Sequence, residues 1–149
     1  MKLKTAIAFD DNDLWCELYK RIFDKNQISI KTYSSPKHYF CQKEDFDLCP
    51  VDSPCTDFLI TDHNMPEMTG LEFMRKAKKM RCKIPDNCKA IISGTWTEEE
   101  FEEAKKLCCN VLDAIGKAFP EPFFVTEFLD QVDVLDIAEP GKITSICHE

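Results

Sequence analysis

The chain alternates short apolar runs with longer segments in which apolar residues recur at helical spacing. The apolar runs are too short for helices and are typical of strands that are buried on both faces of a sheet. The predicted strands are residues 4–9, 28–32, 58–61, 89–93 and 111–115. Because strands alternate with helices, we predict an α/β fold with a doubly wound parallel sheet and helices on both of its faces.

The helices are predicted from apolar spacing and from residues that favour helix ends. Thr97 is followed by three glutamates, a combination typical of a capped helix start. Asn12 or Asp13 is expected to cap the first helix in the same way. The predicted helices are residues 12–24, about 36–41, 70–81, a fourth that follows Thr97 and a last one after Pro120 and Pro122.

One segment does not fit the alternation. Residues 42–56 contain two prolines and show no periodicity, so they predict a loop that is longer than compact domains usually carry. Either a surface for a partner or a tolerated insertion explains such a loop. With 149 residues in all, we predict one domain over residues 1–137, with this insertion, and a tail over residues 138–149.

Charge and hydropathy exclude several classes of partner. The net charge of −8 and the pI near 4.9 argue against a sequence-independent grip on nucleic acid or on an anionic membrane. No apolar run has the length of a membrane span, and the first residues lead into a strand rather than into a signal-peptide core. We therefore expect a cytoplasmic protein that binds neither nucleic acid nor membranes.

Nine cysteines are many for a chain of this length. Their odd number and the absence of a C-x-x-C pair argue against a disulfide framework and against a zinc ribbon, so reduced thiols are the favoured interpretation. Cys41, Cys49 and Cys55 bracket a segment rich in proline and aspartate, and a metal site there is the less favoured alternative.

Carboxylates follow two of the predicted strands. Asp10 and Asp11 come directly after the first strand, and Asp62 comes directly after the third. A carboxylate at the carboxyl end of a buried strand lies where α/β sheets place ligands, although many such aspartates only cap a loop. Adjacent carboxylates repel each other unless a cation neutralises them, and converging carboxylates make an oxygen site that suits Mg²⁺.

The motifs around these residues resemble the receiver domain of two-component response regulators. The resemblance rests on the acidic pair at 10–11, on D-H-N-M-P-E-M-T-G at 62–70, on A-I-I-S-G at 90–94 and on A-I-G-K at 114–117. It extends from about residue 3 to about residue 132. It implies a stand-alone receiver of the flavodoxin-like type, with strand order 2-1-3-4-5.

The resemblance also implies a phosphoacceptor switch or a phosphorelay shuttle rather than an enzyme, although autodephosphorylation is compatible with it. Asp62 would accept a phosphoryl group from a phosphohistidine on a sensor histidine kinase or a histidine phosphotransfer protein. The output would pass to a downstream protein, chiefly through the face formed by helix four, strand five and helix five. His63, next to the phosphoacceptor, is expected to be an exposed loop residue.

The remaining site residues follow from the same resemblance. Asp11 and Asp62 would hold Mg²⁺, with a contribution from Asp10 and from the main-chain carbonyl of Asn64. Lys117 would pair with a phosphoryl oxygen. A hydrogen bond to the same group would come from the hydroxyl of Ser93.

This sequence departs from the receiver pattern at three positions. Ala118 stands where the family has a proline after the lysine, and Ala114 stands where many members have an aromatic residue. Thr69 replaces the common aspartate before the motif glycine. The first two departures keep open a degenerate receiver that binds partners without being phosphorylated.

A haloacid dehalogenase-like phosphatase is the remote alternative. Asp11 would then be the nucleophile and Asp13 the acid. That family normally has a further acidic motif after its lysine, whereas Ala118 follows Lys117 here. The phosphatase also leaves the segment at Asp62 unexplained, so the receiver is favoured.

Overall fold

The structure, a computed structural model, describes residues 4–107 and 110–113. Its strands are β1 (Lys4–Phe9), β2 (Ile28–Tyr33), β3 (Phe58–Asp62), β4 (Lys89–Ser93) and β5 (Asn110–Asp113). Its α-helices are α1 (Asp13–Lys25), α2 (Phe40–Lys43), α3 (Gly70–Lys79) and α4 (Glu98–Leu107). Short 3-10 turns lie at Pro36–His38 and Asp86–Cys88.

All described strand pairs are parallel, and the sheet has the order β2-β1-β3-β4-β5. The predicted fold class and strand order are therefore confirmed. β3 lies between β1 and β4, and all five of its residues are buried, as expected for a strand covered on both faces. This central position puts the carboxyl end of β3 at the point where the chain reverses its direction of winding, where α/β folds bind ligands.

Successive residues of the central strands face two separate apolar layers. Ala6 and Ala8 of β1 pack with α1, whose Trp15, Tyr19 and Phe23 are buried there. On the opposite face lie Ile7 and Phe9 of β1, the apolar side of α3 and Ala104 of α4. Helices on both faces bury the apolar side chains of the sheet and thereby stabilise it. The ends of the strands are the parts of the sheet that these helices leave uncovered.

The predicted helix starts at α1 and α4 are confirmed. The side chain of Asn12 accepts hydrogen bonds from the main-chain N–H groups of Leu14 and Trp15 at 2.9 and 3.2 Å. The Thr97 hydroxyl accepts from the N–H of Glu100, whose carboxylate accepts from the N–H of Thr97, both at 3.1 Å. This reciprocal pair is a capping box and fixes the first residue of α4.

The prediction of one continuous short helix over residues 36–41 is wrong. Tyr39 has extended backbone angles, with φ −88° and ψ 147°, and it separates the 3-10 turn from α2. Its side chain is buried, with its ring 5.8 Å from that of Phe9. Packing of this aromatic ring therefore overrides the local helical pattern.

The predicted insertion is a loop over residues 44–57 that has neither helix nor strand. It returns to the sheet through Asp57, whose N–H donates to the Thr5 carbonyl at 3.1 Å and whose carboxylate accepts from the Thr5 N–H at 2.8 Å. The predicted last helix, the end of the fifth predicted strand and the tail lie outside the described residues. Among the residues described, no helix is long and apolar enough to cross a membrane.

Gly70 lets α3 begin against the end of β3. Its N–H donates to the His63 carbonyl at 3.0 Å. A Cβ at this position would lie 2.6 Å from the main-chain oxygen of Asp62 and 2.9 Å from the Cα of His63. Because both obstacles are backbone, only glycine allows this approach without moving the strand end.

We predict that Gly70→Ala lowers the free energy of unfolding by about 1–3 kcal/mol, because the added methyl group forces backbone apart. Urea denaturation followed by circular dichroism measures this loss. Lys79→Ala, at an exposed position near the other end of α3, is the control and should change stability by less than about 0.5 kcal/mol. Equal stabilities of Gly70→Ala and the control would contradict the close approach.

Candidate functional site

Three carboxylates meet at the carboxyl edge of the sheet. β1 and β3 are neighbours, so the residues that follow or end them come together. One carboxylate oxygen from each of Asp10, Asp11 and Asp62 lies within 4.8 Å of the other two. Asp10 and Asp62 are buried, whereas Asp11 is exposed, so the cluster opens to solvent on the side of Asp11.

Asp10 is held by groups of the loop and helix that follow it. One carboxylate oxygen accepts from the N–H of Asn12 at 2.9 Å, and the other accepts from the hydroxyl of Tyr19 at 3.1 Å. Burial of Tyr19, and next the negative charge of Asp10, raises the pKa of this phenol well above its ordinary value. Tyr19 therefore stays protonated and acts as a hydrogen-bond donor that orients the carboxylate.

The donor set fits a divalent cation of the Mg²⁺ type. Carboxylate oxygens are the ligands that Mg²⁺ prefers, and oxygens on opposite sides of one Mg²⁺ lie about 4.2 Å apart. The three oxygens lie within 4.8 Å of one another, near enough to share one cation, and the exposed side at Asp11 leaves room for the waters that Mg²⁺ retains. Asp10, Asp11 and Asp62 are therefore the residues that would hold the cation.

Ser93 ends β4, the strand next to β3, and its neighbour Ile92 lies opposite Asp62 in register. The Ser93 hydroxyl is buried and accepts from the side-chain amide of Asn64 at 3.1 Å and from the N–H of Thr95 at 3.1 Å. The Asn64 amide also donates to the Thr95 hydroxyl at 3.0 Å. These bonds tie the loop after β3 to the loop after β4.

The expectation that His63 is an exposed loop residue is wrong. Only 5% of its surface is exposed, and its ring stacks on Trp96 with a centroid distance of 5.3 Å. Nδ1 accepts from the N–H of Leu71 at 3.4 Å, and Nε2 lies 2.9 Å from a carboxylate oxygen of Glu100. Nε2 therefore carries the hydrogen and donates a hydrogen bond to Glu100. Contacts with α3 and α4 bury this histidine. Because both helices come later in the chain, the residues next to His63 do not indicate its burial.

A continuous set of contacts connects the phosphoacceptor candidate with α4 and β5. His63 follows Asp62 directly and bonds to Glu100 in the first turn of α4. The indole N–H of Trp96, which stacks on His63, donates to the Leu112 carbonyl of β5 at 2.9 Å. A displacement of the loop after β4 would therefore displace its contacts with both α4 and β5.

The structure does not describe every predicted site residue. Lys117 and the two alanines of the departures, Ala114 and Ala118, lie outside the described residues. The Asn64 main-chain carbonyl stays a predicted metal ligand. The structure thus brings together Asp10, Asp11 and Asp62, places Ser93 at the end of the adjacent strand, and adds Tyr19 and His63.

Tyr19 and His63 were missed as site residues for different reasons. Helical spacing identifies Tyr19 as a core residue, and it is fully buried, but spacing does not show that its hydroxyl faces a strand-end aspartate. Its position nine residues after Asp10 on an amphipathic helix was the one available signal. His63 has no signal in the sequence beyond its place next to Asp62.

We predict that Tyr19→Phe weakens Mg²⁺ binding by about tenfold, because removing a group that orients a ligand typically costs 10–100-fold in metal affinity. Isothermal titration calorimetry measures the affinity. Tyr33→Phe is the matched control, since Tyr33 packs against the Phe9 ring on the other face of the sheet. An unchanged affinity in Tyr19→Phe would contradict the orienting role.

The bond between His63 and Glu100 gives a prediction that depends on pH. Hydrogen bonds from the Thr97 backbone, and next from His63, lower the pKa of Glu100. The resulting stabilisation is complete above the ordinary glutamate pKa and is lost as the pH falls through the lowered pKa. His63→Phe retains stacking on Trp96 but loses the donor, so we expect a stability deficit at neutral pH that shrinks in acid.

Equilibrium unfolding of the native protein and His63→Phe at a series of pH values from neutral to acid checks this. Glu99→Gln, an exposed position on the same helix, is the control and should be neutral at each pH. A deficit that stays constant down to the most acidic pH would show that the pair with Glu100 is not its source.

The comparisons with known proteins agree with this geometry. No protein-family model matches the chain, and no curated protein matches it at the level of sequence. Solved structures do match. FixJ-N is 20% identical, with a TM-score of 0.63, over 90% of this chain and 96% of its own.

Two further structures extend the likeness. The chemotaxis response regulator CheY4 of Vibrio cholerae is 19% identical with a TM-score of 0.60, over 88% of this chain and 99% of its own. A CheY-like response regulator receiver domain from Methylobacillus flagellatus is 14% identical with a TM-score of 0.63, over 88% and 99% of the two chains. At these identities the likeness concerns the fold. The chain has the fold of the receiver domains of response regulators.

Proposed function

We propose that this protein is a phosphoacceptor switch or phosphorelay shuttle in which Asp62 accepts a phosphoryl group. The observation that carries the proposal is the meeting of Asp10, Asp11 and Asp62 at the carboxyl edge of a sheet with the receiver topology. The haloacid dehalogenase-like alternative gives Asp62 no role, yet this residue ends the central strand beside Asp11. The receiver reaction therefore accounts for all three carboxylates.

The reaction transfers a phosphoryl group from a phosphohistidine to the carboxylate of Asp62. A bond forms between a carboxylate oxygen and phosphorus while the nitrogen–phosphorus bond of the donor breaks. The histidine leaves with the bonding electron pair and takes up a proton, and the product is an acyl phosphate on Asp62. Positioning and charge neutralisation supply most of the catalysis in such transfers.

Mg²⁺ bound by Asp11 and Asp62, with Asp10 and the Asn64 carbonyl, would supply positive charge that offsets the negative charge of the phosphoryl oxygens. The chain's own residues supply the remaining interactions. Tyr19 keeps the Asp10 carboxylate oriented. Lys117 pairs with a phosphoryl oxygen, and the hydroxyl of Ser93 donates a hydrogen bond to the same group.

The role of Ser93 suggests how the signal leaves the site. Its hydroxyl oxygen now accepts from Asn64 and from Thr95. If the hydroxyl oxygen moves toward the phosphoryl group, its hydrogen bond from the N–H of Thr95 would draw the loop along with it. Trp96 follows in that loop, and its contacts with His63 and β5 carry the shift to α4. This route does not require an aromatic residue at position 114.

The output surface is the exposed side of α4. Arg75 of α3 forms a two-point ion pair with Glu103 of α4, and both side chains are solvent-exposed. Glu98, Glu99 and Glu102 are exposed on α4. A downstream protein that binds at these three glutamates would present a complementary basic surface. Exposed Lys105 and Lys106 lie at the other end of the helix.

Phosphorylation by a small acyl phosphate tests the proposal. We predict that incubation with acetyl phosphate and Mg²⁺ adds the mass of one phosphoryl group to the intact protein, and that omission of Mg²⁺ or Asp62→Asn abolishes this gain. Asp13→Asn is the matched control, an exposed aspartate beside the cluster, and should retain the gain. Intact-mass spectrometry measures all four samples.

The other outcomes separate the alternatives. No gain of mass under any condition would identify a degenerate receiver that acts through binding alone. Loss of phosphorylation in Asp11→Asn and Asp13→Asn together with its retention in Asp62→Asn would support the phosphatase-like chemistry instead. Turnover of a phosphomonoester would point in the same direction.

A further inference from the structure

Four cysteines surround one small cavity beneath the insertion loop over residues 44–57. Cys41 lies on α2, Cys49 and Cys55 lie on the loop, and Cys82 lies just after α3. The cavity has a volume of about 20 Å³, which suits an ion rather than an organic ligand. Cys55 precedes β3 and Asp62 ends it, so the cavity and the carboxylate cluster lie toward opposite ends of this strand.

The backbone fixes these cysteines from two sides of the cavity. The N–H of Cys49 donates to the Met80 carbonyl at 2.7 Å, which joins the loop to the end of α3. The N–H of Cys82 donates to the Ala77 carbonyl at 2.9 Å, which holds this cysteine at the same helix end. Two cysteines of the loop, one of α2 and one that follows α3 therefore line the same cavity.

The rest of the cavity lining offers few other ligands. Apart from the cysteines it consists of aromatic and aliphatic side chains, Gln42 and Met80: Tyr39, Phe40, Leu59, Phe73, Ala77 and Ile84 complete it. This lining offers only two side-chain oxygens, those of Tyr39 and Gln42, which is fewer than Mg²⁺ or Ca²⁺ requires. Sulfur is thus the dominant donor, and it favours soft or borderline metals.

Two of the thiols have hydrogen-bond partners suited to metal-bound thiolates. The side-chain amide of Gln42 donates to the sulfur of Cys41 at 3.4 Å. The Tyr39 hydroxyl is hydrogen-bonded to Cys55, and this bond favours the thiolate. Such donors disperse the negative charge of a four-thiolate site and orient its ligands.

The thiols also influence one another electrostatically. Burial, and to a smaller extent the charges of the other thiols of the group, raises the pKa of Cys41 and of Cys55. Cys41 and Cys55 therefore keep their protons near neutral pH unless a cation is bound. Binding of a divalent metal would release these protons and remove the mutual repulsion of the thiolates.

We propose that Cys41, Cys49, Cys55 and Cys82 bind one Zn²⁺ ion and that this ion anchors the insertion loop to the domain. Four sulfur ligands that leave no open coordination position are the feature of a structural zinc site. Ligand sulfurs around tetrahedral Zn²⁺ lie about 3.8 Å apart. No three of these four described sulfurs lie within 4.8 Å of one another, so zinc binding requires the insertion loop to move toward α3.

The insertion loop has a physical need for such an anchor. It lacks helix and strand, and its Leu48 side chain is 60% exposed, so apolar burial contributes little to its position. Loops of this length are held by function or by a cross-link, or else they are disordered. Zinc closes the loop onto α3. The sequence suggested a metal at Cys41, Cys49 and Cys55, and this proposal adds Cys82 as the fourth ligand.

The test uses the full chain, reduced, stripped of metal with a chelator and then titrated with Zn²⁺ or Co²⁺. Native mass spectrometry counts the bound ions, and the absorption spectrum of the Co²⁺ form reports tetrahedral geometry and thiolate ligation. We expect one Zn²⁺ per chain that competes with a colorimetric chelator, and loss of this binding in Cys55→Ser and in Cys82→Ser. Cys88→Ser is the matched control, a half-buried thiol outside the cavity, and should retain binding.

Asp62→Asn separates this site from the phosphoacceptor site. It should leave Zn²⁺ binding and the cobalt spectrum unchanged while it abolishes phosphorylation, so either proposal can fail without the other. Absence of a bound ion in the reduced protein would overturn the zinc site. Retention of the ion in Cys55→Ser and Cys82→Ser, an iron–sulfur absorption, or two disulfides that persist in place of metal binding would overturn it equally.

Discussion

Mutual repulsion of Asp10, Asp11 and Asp62 is the constraint on which the rest of this structure depends. Two of these carboxylates are buried, and one oxygen from each of the three lies within 4.8 Å of the others. At an effective dielectric constant near 20, two unit charges 4.8 Å apart repel each other by about 3.5 kcal/mol, and closer charges repel each other more strongly. The packing of α1 and α3 against the sheet offsets this cost, and a divalent cation would remove it. The hydroxyl of Tyr19 orients Asp10, and the close approach at Gly70 lets α3 begin against the end of β3 beside the cluster.

The surroundings of the cluster explain how a local change of charge reaches a surface. His63 shares a peptide bond with Asp62, stacks on Trp96 and bonds to Glu100, so the contacts of this one residue connect the strand end with α4. Ser93 adds a second connection, through the loop after β4. Dense packing transmits small displacements because such interiors compress little. A phosphoryl group at Asp62 would therefore alter the exposed side of α4.

The sequence predicted the sheet and the carboxylate cluster because both depend on local patterns. A buried strand requires an apolar run, and the edge of a parallel sheet collects whatever follows each strand, which is how Asp10 and Asp62 were placed together. Contacts between distant segments were not predictable in the same way. Tyr39 interrupts a helical pattern to fill space beside Phe9. The approach of Cys82 to the insertion loop depends on where α3 ends, which spacing alone does not give.

The central claim is that a cation balances the carboxylates at the end of the sheet. The most direct measurement is the free energy of unfolding of the native protein and of Asp62→Asn, each with Mg²⁺ and with a chelator in its place. With the chelator, we expect Asp62→Asn to be the more stable of the two by about 1 kcal/mol, because one repelling charge is gone. With Mg²⁺, we expect the native protein to gain stability and the variant to gain little. Equal stability of the native protein with and without Mg²⁺, together with a loss in Asp62→Asn under both conditions, would contradict this account.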